Sequence, residues 1–408
     1  MRARALVLAL AATASTVWAQ APIGAEFQVN TYTTGSLTYP SVASNTAGTF
    51  MVVWDSYPRD GLASDVWARL FDASSTPFGA EFLLSAYATG LQGAPRVATQ
   101  PGGGFLVVWS SNHEGSYSSI FARRFDATGT PSGAEFRVNT DTSATQAIPD
   151  VDTDGTGDFV VAWHGQQGDF AYNVWARRFN AAGAALGAEF RVNSFTTSFQ
   201  GRPRLAVDPA GNFVVVWFGY GEDGDDWGVA GRRYDAAASP LGAEFQVNTH
   251  TTSTQSYADV ASDAAGNFVV TWMSYAQDGD GLGVFARRYD SAGTPGGEFR
   301  VNAYTLYSQR QPAVTADASG AFVVAWQSYW QDGHLNGVFA ARIGASGAPG
   351  PDFRLSSFTT GHQIFPAVAA DGGGNLTAVW LGDGQDGSGN GVFGRRFWMD
   401  VIFRDGFE

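Results

Sequence analysis

Hydrophobic and polar positions alternate along this chain in short blocks, and each block predicts four β-strands. In one block, residues 204–207 form a short apolar strand, and residues 213–217 are apolar on both faces, as expected for a strand buried on both sides. A turn sequence, Asp208-Pro209-Ala210-Gly211, separates the two. After a polar loop rich in Gly and Asp, residues 229–234 and 244–248 supply the third and fourth strands. Helical periodicity is missing from every block, so the pattern predicts an all-β protein.

The block repeats along the whole chain. A tryptophan near the end of each second strand recurs at spacings of 54 or 55 residues: Trp54, Trp109, Trp163, Trp217, Trp272, Trp326 and Trp380. A Phe after an acidic residue keeps the same spacing, from Phe27 to Phe353. Four strands in a repeat of this size are typical of a propeller blade, whereas a sandwich domain needs about 100 residues. The repeat therefore predicts a seven-bladed β-propeller with four antiparallel strands in each blade.

The ends of the repeat series indicate that the ring is closed. The first strand after the leader, residues 26–30, has the pattern of a fourth strand, and the last, residues 391–397, has that of a third. In a ring, the N-terminal strand completes the last blade and removes an open sheet edge. We therefore expect the N-terminal strand to close the propeller.

The N-terminus has the pattern of a secretory leader. Arg2 and Arg4 precede an apolar run over residues 5–17, and Val17-Trp18-Ala19 resembles a cleavage site. This run is too short to cross a bilayer as a mature helix, and we expect no transmembrane segment. The predicted organisation is a leader at 1–19, a propeller at 20–397 and a tail at 398–408. Location is expected to be extracellular or periplasmic.

Composition narrows the partners. The chain carries 38 acidic and 24 basic residues, a net charge of −14, so nucleic acid is not an expected partner. Cysteine is absent, so the core must hold the fold without disulfides. The oligomeric state is left open by the sequence.

Two repeated features are interpreted as structural. The seven tryptophans are expected to pack between adjacent blades. The arginines of the third strands, such as Arg123 and Arg287, are expected to form cross-strand ion pairs with Glu135 and Glu298 on the fourth strands.

The run WMSYAQDGDGLGVFARRYD from Trp272 to Asp290, followed by GGEFRVN at 296–302, resembles a repeat of secreted and surface proteins of bacteria, also found in large calcium-associated adhesin-like proteins. The resemblance covers residues 24–397 and implies no catalytic residues. The ending IFRDGFE is similar to a short ending of other exported bacterial proteins and implies a sorting signal. A tail that packs on the ring is the alternative.

Candidate chemistry is expected on the face of the ring where second strands lead to third strands and fourth strands lead to the next blade. These loops are long and polar, and function on a rigid scaffold is commonly found in such loops. Their carboxylates and aromatic rings predict ligand binding by Tyr57, Asp60, Asp223, Asp225, Trp227, Tyr275, Asp278, Asp280, Tyr329, Asp332 and Asp386.

Calcium is a possible cofactor, because carboxylates beside glycines offer the oxygen ligands and the flexible backbone that Ca²⁺ requires. The candidate ligands are Asp152, Asp154 and Asp158 in one turn and Asp223, Asp225, Asp278 and Asp280 in the loops. Solvated loops or Asp-Gly turns are the alternative interpretation.

The sequence therefore favours an exported, non-enzymatic module that binds a glycan or protein through its loops. The five histidines occupy different repeat positions and show no metal-binding spacing. An extracellular polysaccharide hydrolase or lyase is one alternative, because many carboxylates share one face. A structural envelope component is the other.

Overall fold

The computed structural model describes residues 20–57, 63–87, 89–167, 171–344, 347–387 and 389–399. These residues form 28 strands, numbered in chain order. Each blade takes its innermost strand from one set: β2 Ser36–Ser44, β6 Gln92–Thr99, β10 Gln146–Thr153, β14 Gln200–Val207, β18 Gln255–Ser262, β22 Gln309–Ala316 and β26 Gln363–Ala370. The second strands are β3 Phe50–Tyr57, β7 Phe105–Ser111, β11 Phe159–Gly165, β15 Phe213–Tyr220, β19 Phe268–Tyr275, β23 Phe322–Tyr329 and β27 Asn375–Asp383.

The outer half of each blade is made by the third and fourth strands. The third strands are β4 Asp65–Phe71, β8 Ser119–Phe125, β12 Asn173–Phe179, β16 Trp227–Tyr234, β20 Leu282–Tyr289, β24 Asn336–Ile343 and β28 Asn390–Trp398. The fourth strands are β5 Phe82–Leu83, β9 Phe136–Arg137, β13 Phe190–Arg191, β17 Phe245–Gln246, β21 Pro295–Arg300, β25 Phe353–Arg354 and, from the N-terminus, β1 Ala21–Gln28.

Seven four-stranded antiparallel sheets result, which confirms the seven-bladed β-propeller. The last sheet has the order β1-β28-β27-β26, so the N-terminal strand completes the last blade. Across the closure, Phe27 packs against Phe50 and Phe71 of the first blade, with ring centroids 5.9 and 5.2 Å apart. Among the described residues, no helix is long and apolar enough to cross a membrane. The predicted leader and residues 400–408 of the tail lie outside the described residues.

The tryptophans lie between blades, as predicted. Trp109 of the second blade, fully buried, belongs to one cluster with Met51 and Val53 of the first blade. Trp272 is packed in the same way against Val214 and Val216 of the preceding blade. Because each indole side chain fills the space between two neighbouring sheets, the seven contacts between blades are nearly equivalent.

The predicted pairing of Arg287 with Glu298 is wrong, although the two residues are opposite each other in the β20–β21 register. The Arg287 guanidinium donates instead to the carbonyl oxygens of Gly296 and Val247, at 2.9 and 3.1 Å. Glu298 accepts hydrogen bonds from the backbone N–H and hydroxyl of Thr249, at 2.6 and 2.9 Å. Both side chains therefore tie their blade to the preceding one.

The second predicted pair is also replaced by contacts between blades. Arg123 donates to the Leu84 carbonyl at 3.0 Å, and Glu135 accepts from the Ala86 N–H at 2.8 Å. The physical reason is that bare carbonyl and N–H groups at the end of each short fourth strand need partners, and these side chains supply them.

Candidate functional site

The loop face has the predicted aromatic residues, and several are open to solvent. Tyr57, Tyr275 and Tyr329 end second strands, and Tyr57 and Tyr275 are each about half exposed. Trp227 is half-buried and packs edge-on against Phe218, with the centroids 5.4 Å apart. Asp60 lies outside the described residues.

The predicted loop carboxylates are largely engaged in holding the loops. Asn248 donates to Asp223 at 2.7 Å. The backbone N–H of Ser253 donates to Asp225 at 2.9 Å. Four more have partners of the same kind: Asp278 with Asn302, Asp280 with the Tyr307 N–H, Asp332 with the His334 N–H and Asp386 with Gln28. These contacts give the carboxylates a structural role in the loops.

The carboxylates of the predicted calcium turn point in different directions. Asp154 accepts hydrogen bonds from the N–H groups of Thr156 and Asp158, at 2.8 and 3.0 Å, which is the geometry of a capped turn. Asp158 binds the Ala181 N–H of the next hairpin, and Asp152 faces the centre of the ring. Within the described ranges, no three Asp, Glu, His or Cys side chains form a group that could hold a metal.

The central channel is a feature that the sequence analysis missed. The first strands surround a cavity of about 360 Å³, lined in tiers by side chains two residues apart along each strand. The rim, at the end where these strands leave the loop face, consists of Tyr39, Ala94, Ile148, Arg202, Tyr257, Gln311 and Phe365.

Every rim residue has a left-handed backbone, with φ between 49° and 54°. This conformation costs a non-glycine residue about 1–3 kcal/mol. A β-bulge at each position accommodates it, as between Gly201 and Arg204 in β14. At two of these positions, a side chain from the second strand of the preceding blade also binds the rim residue's backbone N–H. Gln327 accepts the Phe365 N–H at 3.1 Å, and His164 accepts the Arg202 N–H at 3.3 Å.

The tier below the rim has charge on only four blades. It consists of Ser41, Arg96, Asp150, Arg204, Asp259, Ala313 and Ala367. The signs alternate, and the guanidinium Nε atoms lie 3.7 Å from Asp150 in the case of Arg96 and 3.5 Å from Asp259 in the case of Arg204. Side chains of this tier remain 12–20% exposed to the channel. The nearly sevenfold ring thus has one chemically distinct side.

Three aspartates of the channel have raised pKa values. Burial raises the pKa of Asp150, and Arg204 and Arg96 oppose that rise. Burial raises the pKa of Asp259 to about 6, again against the charge of Arg204. Asp152, one tier deeper, has its pKa raised to about 7 by burial and, to a smaller extent, by the charge of Asp150.

Asp152 differs from the other two in its partners. It accepts the N–H groups of Val207 and Thr153, at 2.9 and 2.8 Å, and no arginine in the described part of the chain stabilises its charge. Asp150 and Asp152 therefore form a pair in different charge environments: two arginines oppose the rise in the pKa of Asp150, whereas only hydrogen bonds oppose the rise in the pKa of Asp152. Environments that separate two carboxyl pKa values in this way are the usual basis for assigning an acid and a base.

The chain's likeness to known proteins lies in its fold. Neither a protein-family model nor a curated protein matches the sequence. One similar solved structure is that of a protein of unknown function from Dyadobacter fermentans. The match spans 94% of this chain and 99% of that protein, at 10% identity and a TM-score of 0.57.

Two enzymes have the same ring. One is the α-L-arabinofuranosidase of Fusarium graminearum, solved with an iminosugar inhibitor. The match spans 91% of this chain and 97% of the enzyme, at 11% identity and a TM-score of 0.53. The other is the α-L-arabinanase of Penicillium chrysogenum, solved with arabinobiose. The match spans 93% of this chain and 100% of the enzyme, at 13% identity and a TM-score of 0.53.

These matches overturn the interpretation of the chain as a non-enzymatic adhesion module. The propellers that superimpose on more than nine tenths of it include enzymes solved with a sugar or a sugar-like inhibitor. The alternative that the sequence left open is a hydrolase of polysaccharide. The residue-level resemblance to the bacterial surface repeat has no support from a matching family.

Proposed function

We propose that this protein is a glycoside hydrolase that cleaves an extracellular polysaccharide in its central channel. The observation that carries the proposal is the Asp150–Asp152 pair, two carboxyl groups on the same solvent-lined wall with different charge environments. Glycoside hydrolysis uses two such groups, one protonated and one ionised. The sugar ligands of the matching enzymes support a glycan as the substrate class.

Asp152 is assigned as the general acid. Because no cation stabilises its carboxylate, it retains a proton near neutral pH and donates it to the glycosidic oxygen as the C–O bond breaks. Asp150 is assigned as the base, because the neighbouring charges of Arg204 and Arg96 favour its ionised form. It accepts a proton from the water molecule whose oxygen forms the new bond to the anomeric carbon.

Spacing along the strand indicates the stereochemistry. Residues two apart on a strand have their Cα atoms about 7 Å apart. Carboxyl groups separated by about 6.5–9.5 Å leave room for a water molecule and are typical of inverting enzymes. We therefore expect inversion at the anomeric carbon.

The test is release of reducing ends from a panel of plant and bacterial polysaccharides. Asp152→Asn should lower turnover by 100-fold or more, since a positioned acid contributes about 10²–10⁴-fold. Asp278→Asn is the matched control, because Asp278 is a carboxylate of the loop face that contacts Asn302. Equal loss in both variants, or loss only in the control, would place the chemistry in the loops and refute the assignment.

A further inference from the structure

Arg202 differs from the other residues of the rim, because it is the only charged side chain among the seven. Its guanidinium lies over the ring of Tyr257, 4.8 Å from the centroid. The ion pairs formed within the described ranges do not include it. A cation held on an aromatic face at the rim of an open cavity is available to an anion.

The position of Arg202 is fixed by its neighbours. His164 accepts its backbone N–H through Nδ1, which requires that nitrogen to be unprotonated. Burial, followed by the charge of Arg202, lowers the pKa of His164 to about 4, so the imidazole stays neutral and can accept this bond. A Cβ atom on Gly201 would lie 2.6 Å from the same Nδ1 atom, so glycine permits the close approach.

Two further arginines lie one tier below. Burial and the charge of Arg204 lower the pKa of Arg96 to about 10, so these two guanidiniums lie close enough to repel each other. Their contacts to Asp150 and Asp259, at 3.7 and 3.5 Å, are longer than charged hydrogen bonds. Each guanidinium also donates to the carbonyl of the preceding proline, at 3.3 Å for Arg96 and 3.0 Å for Arg204, and the fork of a guanidinium has further N–H groups for a ligand.

The channel contrasts in charge with the whole chain. The protein has a net charge of −14, yet three arginines line one side of this cavity. Asp150 and Asp259 are interleaved with the arginines of the tier below the rim. Burial raises the pKa values of both aspartates and of Asp152, which reduces the negative charge of the channel at mildly acidic pH.

We propose that the rim of the channel binds the carboxylate of an acidic sugar through Arg202, so that the polysaccharide substrate contains uronate residues. This inference rests on the proposed hydrolase function. A carboxylate matches the planar fork of a guanidinium, and the Tyr257 ring beneath Arg202 holds that guanidinium at the rim.

The repeat offers a matched variant. Gln311 occupies the equivalent rim position in the sixth blade with the same left-handed backbone, at φ 52° against 50° for Arg202. Arg202→Gln should therefore fold while losing the charge. The control is Arg310→Gln, which changes an exposed arginine outside the channel.

The experiment is calorimetric titration of the wild type with trisaccharides of galacturonate, glucuronate and mannuronate, each beside its carboxyl-reduced, neutral form. At least one acidic trisaccharide should bind more tightly than its neutral form. Arg202→Gln should weaken that binding about 10- to 100-fold, the effect of a lost charged hydrogen bond, without changing the neutral form. Arg310→Gln should bind as the wild type does.

Equal affinity for each acidic and neutral pair, or unchanged binding by Arg202→Gln, would overturn the uronate inference. If the protein also hydrolyses a neutral polysaccharide, the proposed function survives that result. If no polysaccharide is bound or cleaved, both proposals fail.

Discussion

Glu222 replaces, in the fourth blade, a glutamine that other blades use to hold a carboxylate. In the third and sixth blades, Gln167 and Gln331 donate to Glu189 and Asp352, at 2.9 and 3.1 Å. The fourth blade instead places Glu222 beside Glu244. Burial, with the hydrogen bond and charge of Glu244, raises the pKa of Glu222 to about 9.

The raised pKa implies that the stability of the protein depends on pH. The folded chain retains a proton on Glu222 that the unfolded chain loses above about pH 4.5, the ordinary value. The contribution of Glu222 to stability is therefore most favourable below that pH and falls as the pH rises toward 9. At pH 7, a fully buried group would cost about 3.4 kcal/mol, at about 1.4 kcal/mol for each pH unit. Because Glu222 is only half-buried, solvent screening reduces this to about 1–2 kcal/mol.

The variant Glu222→Gln restores the amide donor and should raise the free energy of unfolding by about 1–2 kcal/mol at pH 7, and by much less at pH 4. Urea denaturation followed by tryptophan fluorescence measures the difference. The reverse variant, Gln277→Glu, would create the same pair with Glu298 in the fifth blade, where Gln277 now donates to that carboxylate. It should lower stability at pH 7 and not at pH 4. A Glu222→Gln difference that is zero, or identical at both pH values, would refute the reasoning.

Four other predictions concern the site and the core. Activity should decline above about pH 7, as Asp152 loses its proton, and a pH–rate profile that stays flat to pH 9 would contradict its role. The first product should have the inverted anomeric configuration, which NMR of the fresh reaction detects. Trp272→Ala should cost about 3–5 kcal/mol in urea denaturation, because the side chain is fully buried between two blades. Millimolar Ca²⁺ should leave the Tm of chelator-treated protein unchanged, because Asp223 already accepts a hydrogen bond from Asn248 and Asp225 accepts one from the Ser253 N–H. A rise of several degrees would restore the calcium hypothesis.

The fold was predictable because the same packing problem is solved seven times. Trp54 and its six equivalents fix the period, and the offset between the first and last strands indicates how the ring closes. The strand boundaries were less predictable. In the fourth blade the innermost strand begins at Gln200 and not at Arg204, because the bulge between Gly201 and Arg204 places a left-handed residue inside the strand.

The channel was missed because its chemistry lies within strands that contribute to the core. Sequence reasoning places polar function in loops, and here the loop carboxylates are conspicuous. The available signal was the period of two in residues 146–153, where Asp150 and Asp152 share one face of an innermost strand. Arg96, Asp150 and Arg204 stand at equivalent positions of the repeat, so their approach to one cavity could be inferred only by combining the repeat with the predicted closure of the ring.

The central claim is that a glycan is bound and cleaved in the channel and not on the loops. A crystal structure of the Asp152→Asn variant, soaked with the oligosaccharide that the wild type cleaves fastest, tests it most directly. We expect a sugar between Arg202 and residue 152, with the glycosidic oxygen within hydrogen-bond distance of the substituted side chain. A sugar bound instead on Tyr57 or Tyr275 of the loop face, with the channel empty, would contradict the account.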